Sequence, residues 1–320
     1  MNAELFLTDL EGKTAALAGL AAALESRGNP FASLPRSVRR VVFLGMGSSR
    51  YAAAVAALRL RSAGIDAVAE YASAAIGHPA GPDTLIVAIS AGGNSVETVD
   101  ALSRHAGRSP IVVITNRTGS RAAGLADSVI PMLAGEEAGG VACRTFQHTG
   151  LLLLALEARL TGRPTDVAGM CRRVAAATAD LLDRRPLWLP ASAHLLDGPD
   201  GVYTIAPVER SSSAEQAALM LREGPRRRAD ACETGDWAHV DVYLTRSIDY
   251  RAVLFAGSRY DDQAMGWLRS RGSVVVAVGA DVPGAALSVR YRGDDDPMVA
   301  LLTETLVVEL VAATWWRAPA

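Results

Sequence analysis

Lysine is almost missing from this 320-residue sequence: Lys13 stands alone among cationic residues that are otherwise all arginine. Chemistry that depends on a lysine Schiff base therefore has almost nowhere to form. Cysteine is scarce as well. Cys143, Cys171 and Cys232 are odd in number, widely scattered, and without CxxC spacing or a suitably spaced histidine. That pattern argues against a disulfide framework and against a metal site, and the three read as small buried hydrophobes in a reducing cell. Charge of one sign is lacking: 32 Lys+Arg against 34 Asp+Glu leave a net charge of -2, with no basic field for nucleic acid. Long apolar runs are lacking too. Gly150 to Glu157 is short and Leu306 to Trp316 is interrupted by Glu309, both below a membrane span. The start, MNAELFLTDLEGK, has no basic region followed by an apolar one, so the expected compartment is the cytoplasm.

Half of the residues are hydrophobic, enough for a large core in two medium domains. Residues Glu4 to Arg27 read as one helix. Short β-branched strands then alternate with helices: strands Val41 to Leu44, Ala67 to Ala69, Leu85 to Ile89, Ile111 to Thr115 and Ser128 to Pro131, helices Tyr51 to Ala63, Val96 to His105 and Arg121 to Ala126. Apolar strands separated by amphipathic helices imply a parallel sheet covered on both faces. Helices Thr145 to Leu160 and Val167 to Leu182 follow. The stretch Arg184 to Asp200, punctuated by Pro186, Pro190 and Pro199, reads as a linker. Beyond it the pattern restarts with strands Val202 to Ala206, Ala252 to Ala256, Ser273 to Val278 and Leu287 to Tyr291, and helices Ala214 to Glu223, Asp261 to Arg271 and Met298 to Trp316. The expected organisation is a helical segment 1–34, a first α/β domain 35–165, a connecting helix and linker 166–195, and a second α/β domain 196–320 that degenerately repeats the first.

Strand VVFL runs directly into Gly45-Met46-Gly47-Ser48-Ser49 and a helix, and LIVAIS runs into Ala91-Gly92-Gly93-Asn94-Ser95 and another helix. Free backbone N–H groups at a strand end and helix start, with glycines and hydroxyls, suit an anion. Either loop alone reads equally as a tight turn; together they favour a ligand. A dinucleotide fold is the sharpest rival, since Glu70 could hold a ribose. GMGSSR, however, lacks the third glycine of that fingerprint, and the hydroxyl-rich loops suit a compact monoester.

The segments FLGMGSS, AISAGGNSVET and GEEAGGVACRTF resemble the sugar-isomerase (SIS) domain, and roughly Phe43 to Val311 resembles the double-SIS family, best known as the isomerase half of glucosamine-6-phosphate synthase. The resemblance implies an α/β fold of two tandem SIS domains, each a parallel sheet flanked by helices in a flavodoxin-like three-layer sandwich. It implies that Gly47, Ser48, Ser49, Ser90, Gly92 and Ser95 bind the phosphate and that Val141 and Cys143 lie in the loop lining the sugar, next to Arg144. Gly92 stands where the family has a serine and Ala91 where it has a glutamine, so one phosphate hydroxyl is missing.

MLREGPRRRADACETGDWAHVD resembles the family stretch that ends in a Glu-x-x-His-like loop, here Asp236-x-x-His239. The resemblance implies Glu223 as the base that moves a proton between sugar C1 and C2. It implies His239 as the ring-opening group, commonly supplied by a neighbouring subunit, with Asp230, Glu233 and Asp236 nearby to orient it. Chemically, aldose–ketose isomerisation needs a carboxylate near the α-carbon and an acid–base group titrating near neutrality, roles that Glu and His fill. His105 and His194 read as surface residues, whereas His78 and His148 flank candidate loops. No glutaminase-like segment precedes the SIS-like region and no lysine-bearing tail follows it, and Met220 stands where the synthase has a lysine, so a lysine-free mechanism is expected.

The expected function is isomerisation or deamination of a hexose or hexosamine 6-phosphate by C1–C2 proton transfer. The alternatives are deglycation of a fructosamine 6-phosphate and a non-catalytic sugar-phosphate-binding regulator. No cofactor and no metal are expected, and the partner is a small sugar phosphate, with neither nucleic acid nor membrane. A homodimer or homotetramer with a shared active site is expected, with Trp315 and Trp316 apolar enough to lie in its interface.

Overall fold

The computed structural model describes residues 1–35 and 38–318. In chain order the elements are α1 (Ala3–Glu11), α2 (Lys13–Arg27), β1 (Arg40–Gly45), α3 (Ser48–Ser62), β2 (Asp66–Tyr71), β3 (Thr84–Ile89), α4 (Val96–Ser103), β4 (Ile111–Thr115), β5 (Ser128–Pro131), α5 (Arg144–Thr161), α6 (Val167–Asp183) and α7 (Arg185–Leu196). They continue with β6 (Val202–Ala206), α8 (Ser211–Glu223), β7 (Ala229–Glu233), α9 (Thr234–Trp237), β8 (Arg251–Phe255), α10 (Asp261–Ser270), β9 (Val274–Val278), β10 (Leu287–Val289), α11 (Pro297–Thr303) and α12 (Thr305–Arg317).

These elements form two compact units. The first-sheet unit comprises Ala15–Glu136 and Arg144–Arg172; the second-sheet unit comprises Met1–Thr14, Glu137–Cys143 and Arg173–Ala320. Each has a five-stranded, all-parallel sheet, in the orders β2-β1-β3-β4-β5 and β10-β9-β8-β6-β7. Read from the first strand of each unit outward the two orders are the same. β6 therefore corresponds to β1, β7 to β2, β8 to β3, β9 to β4 and β10 to β5.

The physical basis is the burial of β-branched runs. β3 is buried along its whole length, as is β4 (IVVIT), which fits a parallel sheet covered on both faces. In the first-sheet unit Val42, Leu44, Ile86, Ala88 and Val113 pack against Val99 and Leu102 of α4. In the second-sheet unit Ile205, Ala252 and Leu254 pack with Trp237, Tyr250 and Leu268. The Trp237 indole N–H donates to the Tyr250 hydroxyl at 2.8 Å, which satisfies a buried donor.

Several sequence expectations are corrected. Arg184 to Asp200 is largely helical, as α7: Pro186 occupies the first turn, where its missing N–H costs nothing, and the burial of Trp188, Ala193 and Leu196 carries the helix past Pro190. Arg121 to Ala126 forms only a short 3-10 turn at Ala123–Leu125. The single helices expected at Glu4 to Arg27 and Met298 to Trp316 are each divided in two, at Gly12 and Glu304. β7 went unrecognised because ADACE is an edge strand with Asp230 and Ala231 exposed, so it carries no apolar run.

Pro297–Arg317 is long and apolar enough by composition to cross a membrane, yet 83% of its apolar window is buried inside the protein. Its two glutamates are also buried, each in an ion pair: Glu304 with Arg210 and Glu309 with Lys13, both at 2.5 Å. It is a core helix pair.

Candidate functional site

Successive strands leave β1 in opposite directions, to β2 on one side and β3 on the other. Such a switch point opens a crevice at the carboxyl ends of the two central strands, where ligands of open α/β sheets bind. In the first-sheet unit that edge is built from the two glycine- and serine-bearing loops. β1 ends at Gly45, where a Cβ would stand 3.0 Å from the Arg50 amide and the Ser49 Cβ. Gly47 then takes φ 49°, and α3 begins at Ser48 without a side-chain cap, so its N-terminal amides face the edge without a carboxylate or hydroxyl of the chain's own.

The loop after β3 is held in place from below. The Ser90 hydroxyl accepts from the Gly93 amide at 3.1 Å, Ala122 N–H donates to the Gly93 carbonyl at 2.9 Å, and Asn116 N–H donates to the Ala91 carbonyl at 3.0 Å. Gly93 has φ 65°, and a Cβ there would lie 2.5 Å from the Ser120 Cβ, so this position requires glycine. Ser95 precedes α4 without capping it and donates instead to Thr98 Oγ1 at 2.7 Å. Gly47, Ser48, Ser49, Ser90, Gly92 and Ser95 thus gather at one edge of one sheet. Asn94 is fixed beside Gly92 by its Oδ1, which accepts from the Arg121 amide at 3.0 Å.

Sequence reasoning passed over Arg50. It stacks its guanidinium 4.5 Å from the Tyr71 ring and 5.1 Å from the Tyr51 ring, beside the β1 loop. The signal was the Arg-Tyr pair directly after the serines. Glu70, the residue a dinucleotide would need, turns to the neighbouring loop and accepts from the His78 amide at 3.4 Å.

Val141 and Cys143 belong to the second-sheet unit, where their segment packs under α1. Asn2 N–H donates to the Gly139 carbonyl at 3.1 Å, and Gly139 N–H donates to Asp9 Oδ2 at 2.7 Å. A Cβ at Gly139 would fall 2.5 Å from the Phe6 Cα. Val141 is 2% and Cys143 0% exposed. Burial pushes the Cys143 thiol well above its ordinary range, so it packs as a hydrophobe and is no nucleophile. The segment is tied to α8 by Gln216, whose Nε2 donates to the Ala142 carbonyl at 2.8 Å.

Glu223 lies seven residues beyond Gln216, on the same face of α8 and about 10 Å further along it. It is half-buried at the helix C-terminus, and burial raises its carboxyl above the ordinary glutamate range, with Arg222 opposing. The neighbouring turn is roofed by the end of α12: a Cβ at Gly224 would stand 2.9 Å from the Trp316 ring, and the Arg227 guanidinium lies 4.2 Å from the Trp315 ring. Phe6 tilts against Trp316 at 5.8 Å. Both tryptophans are therefore packed within their own unit and only partly buried.

The structure does not bring Glu223 and His239 of one chain together. The Arg228 carbonyl accepts from Val202 N–H at the start of β6, which fixes the turn after Glu223 at the amino edge of the second sheet. His239 follows α9 at the carboxyl edge and is exposed. The length of β7, on the order of 15 Å, separates the two edges. Glu233 caps α9, accepting from Gly235 and Asp236 amides at 2.8 and 2.9 Å.

Of the remaining candidates, His105 is a correction. It is 4% exposed at the end of α4, and burial lowers its pKa, with Arg104 and Arg108 adding to the effect. The turn after α4 folds back on the sheet, which buries it. His194 is exposed. His148 is buried in α5 with Nδ1 2.8 Å from the Met132 carbonyl, and His78 pairs with Arg40. Arg144 reaches the Glu136 carbonyl. Among the described residues no group of three or more His, Cys, Asp or Glu could hold a metal ion.

The first-sheet edge, with both loops and the strands that carry them, falls inside a segment, residues 36–158, that matches the family model described as the SIS domain. These residues are similar to an SIS domain. All of Gly47, Ser48, Ser49, Ser90, Gly92, Ser95, Val141 and Cys143 lie within this SIS segment, whereas Glu223 and His239 lie outside it. Glutamine–fructose-6-phosphate aminotransferase (isomerizing) of Aeropyrum pernix is 29% identical over 225 residues, 67% of this chain and 36% of that protein. The chain spans 27–39% of the length of the curated relatives it matches. The fold extends beyond the SIS segment to nearly the whole chain. The C-terminal domain of glucosamine-fructose-6-phosphate aminotransferase from Francisella tularensis superposes with a TM-score of 0.81 at 18% identity, covering 98% of this chain and 96% of that one. Tagatose-6-phosphate ketose/aldose isomerase from Escherichia coli gives 0.77 at 15% identity, covering 97% and 93%.

Proposed function

We propose that this chain is a phosphosugar enzyme that transfers a proton between C1 and C2 of a hexose or hexosamine 6-phosphate, as an aldose–ketose isomerase or an amino-sugar-phosphate deaminase. The observation that carries this reading is the first-sheet edge, where α3 and α4 start without side-chain caps beside Ser48, Ser49 and Ser95. Two helix N-termini and several hydroxyls converging on one crevice suit a dianionic phosphate monoester. The names of the relatives supply the sugar class.

Glu223 serves as the base in this reading. Its carboxylate takes the C2 proton of the open-chain aldose, leaving an enediolate, the O2 proton passes to O1, and the carboxylic acid returns its proton to C1 to give the ketose, so no atom is gained or lost. A carboxyl raised by burial is closer to the pKa of a useful proton carrier than an exposed glutamate. His239 serves the ring oxygen. Because one chain holds these two groups at opposite edges of a sheet, the histidine acting with a given Glu223 comes from a second copy, and the working form is a homodimer or homotetramer.

Incubation with hexose and hexosamine 6-phosphates in deuterated water tests the reading. The expected result is deuterium at C1 of the ketose or at C2 of the aldose, with conversion to the isomer, or to ketose phosphate and ammonia. Glu223→Gln should lower kcat by about 10²–10⁴ while leaving sugar-phosphate affinity within twofold. The raised pKa of Glu223 sets the sign of the pH profile: activity is lost on acidification at a pH above the ordinary glutamate range. Absence of exchange with every such phosphate, alongside tight binding of one of them, favours the sugar-phosphate-binding regulator. Exchange only with fructosamine 6-phosphate favours the deglycase.

A further inference from the structure

The second sheet has the same switch point as the first, between β6 and β8, and its carboxyl edge is made differently. Where the first sheet has Gly47 ahead of α3, the second has Arg210 ahead of α8. Its guanidinium crosses from the end of β6 to the end of β8, where it donates to the Ala256 carbonyl and pairs with Glu304 Oε2 at 2.5 Å. Arg210 is 6% exposed and Glu304 fully buried, so a buried ion pair stands at the edge where the first sheet has Gly47.

The loop after β8 corresponds to the loop after β3. In the first sheet the strand-side Ser90 takes the Gly93 amide and the start of α4 is left free. In the second sheet the helix-side Asp261 folds back, and its Oδ2 accepts from both the Gly257 and Ser258 amides, at 2.6 and 3.0 Å. Gly257 has φ 132°, and a Cβ there would stand 2.8 Å from Arg210 Nη2. Two adjacent backbone amides thus hold one carboxylate oxygen, a donor pair an oxyanion would use, with the Arg210 guanidinium packed behind Gly257. Burial raises the Asp261 carboxyl above its ordinary range, opposed by the two amide bonds and then by the charge of Arg210.

We infer that the second sheet carries a closed counterpart of the phosphate edge, occupied by the Asp261 carboxylate and walled by the Arg210–Glu304 pair. The chain therefore binds one phosphoester, at the first sheet, and cannot take the same ligand in the reverse sense. Removal of Asp261 converts the closed edge into a site for a small oxyanion. The count of one rests on the proposed phosphate site; the closure of the second edge stands on Asp261 and Arg210 alone.

Titration with inorganic phosphate, followed calorimetrically and by ³¹P NMR line broadening, tests this in the full chain. The wild type is expected to bind one phosphate per chain and Asp261→Ala two. Asp261→Asn keeps an acceptor oxygen for the amides and should stay at one. In a Ser48→Ala/Ser49→Ala background, which disables the first edge, adding Asp261→Ala should restore a single site. Should Asp261→Ala fail to fold, Asp261→Gly vacates the amides without an acceptor and gives the same readout. Two phosphates bound by the wild type, or a folded Asp261→Ala and Asp261→Gly that gain none, overturn the closure. A wild type that binds none overturns the first-edge reading, and the gain on removing Asp261 still decides the second.

Discussion

The two sheets share a strand order and use their polar groups in opposite ways. The first-sheet unit leaves two helix N-termini uncapped at its carboxyl edge and keeps its ion pairs accessible, as in Arg59–Glu157 with side chains 34% and 20% exposed. The second-sheet unit also starts α8 and α10 without side-chain caps, but it engages the amides of the loops after β7 and β8 with Glu233 and Asp261 and buries two ion pairs. One edge is arranged to meet an anion from solvent; the other has internalised its anions. On the proposed reading, two sheets of one strand order differ in which of them offers an anion-binding edge.

The largest test of that contrast concerns the buried charges. Lys13 and Glu309 are 1% and 0% exposed and 2.5 Å apart, and Thr305 donates to the other Glu309 oxygen at 3.4 Å. Removing one member leaves the other charge buried without its counter-ion, so Lys13→Met is expected to cost about 3–5 kcal/mol of stability by urea denaturation. Lys13→Met/Glu309→Leu should recover most of that loss. A single variant as stable as the wild type would mean that the pair is hydrated and that the contrast in burial is not real.

The second test addresses the open edge. Hydrogen bonds to a charged group contribute about 1.5–3 kcal/mol each, so Ser49→Ala should weaken sugar-phosphate binding by roughly 10–100-fold. Its melting temperature should stay within a degree or two, because α3 does not use that hydroxyl as a cap. Titration calorimetry and thermal melting together check both halves. A large loss of stability with unchanged affinity would turn the serine into a structural residue and leave the two edges alike.

The parts of this architecture visible in the sequence are those written as local patterns. The strands Ile111–Thr115, Ser128–Pro131 and Val202–Ala206 are legible because buried β-branched runs between turn residues have few other uses. The phosphate edge is legible because glycines and serines cluster where strand passes into helix. The closed edge is not: an aspartate at the start of α10 reads as ordinary helix chemistry, and its bonds to Gly257 and Ser258 need the loop to fold back. Long-range pairs are equally hidden. Nothing local to Lys13 announces a glutamate 296 positions away, and nothing local to Glu223 and His239 says that β7 will hold them apart.

The smallest effect expected is also a gain. Gly92 is exposed, its φ is not in the left-handed region, and a Cβ built on it meets nothing within 4 Å. Space therefore does not explain why the hydroxyl expected from the SIS resemblance is missing there, and Gly93 beside it is the residue that backbone and packing require to be glycine. Gly92→Ser should fold normally and add one hydroxyl at the rim of the first edge. A rim hydroxyl open to solvent keeps only part of a charge-assisted bond, so a gain of about 1 kcal/mol, roughly fivefold tighter sugar-phosphate binding, is expected. A control on the second sheet, Ser258→Thr, which adds a methyl and no donor, should change nothing, since Asp261 already takes the amide there. Equal responses at the two positions would show that both edges meet the ligand, and weaker binding by Gly92→Ser would place the phosphate too close to the loop backbone for a side chain to stand between them.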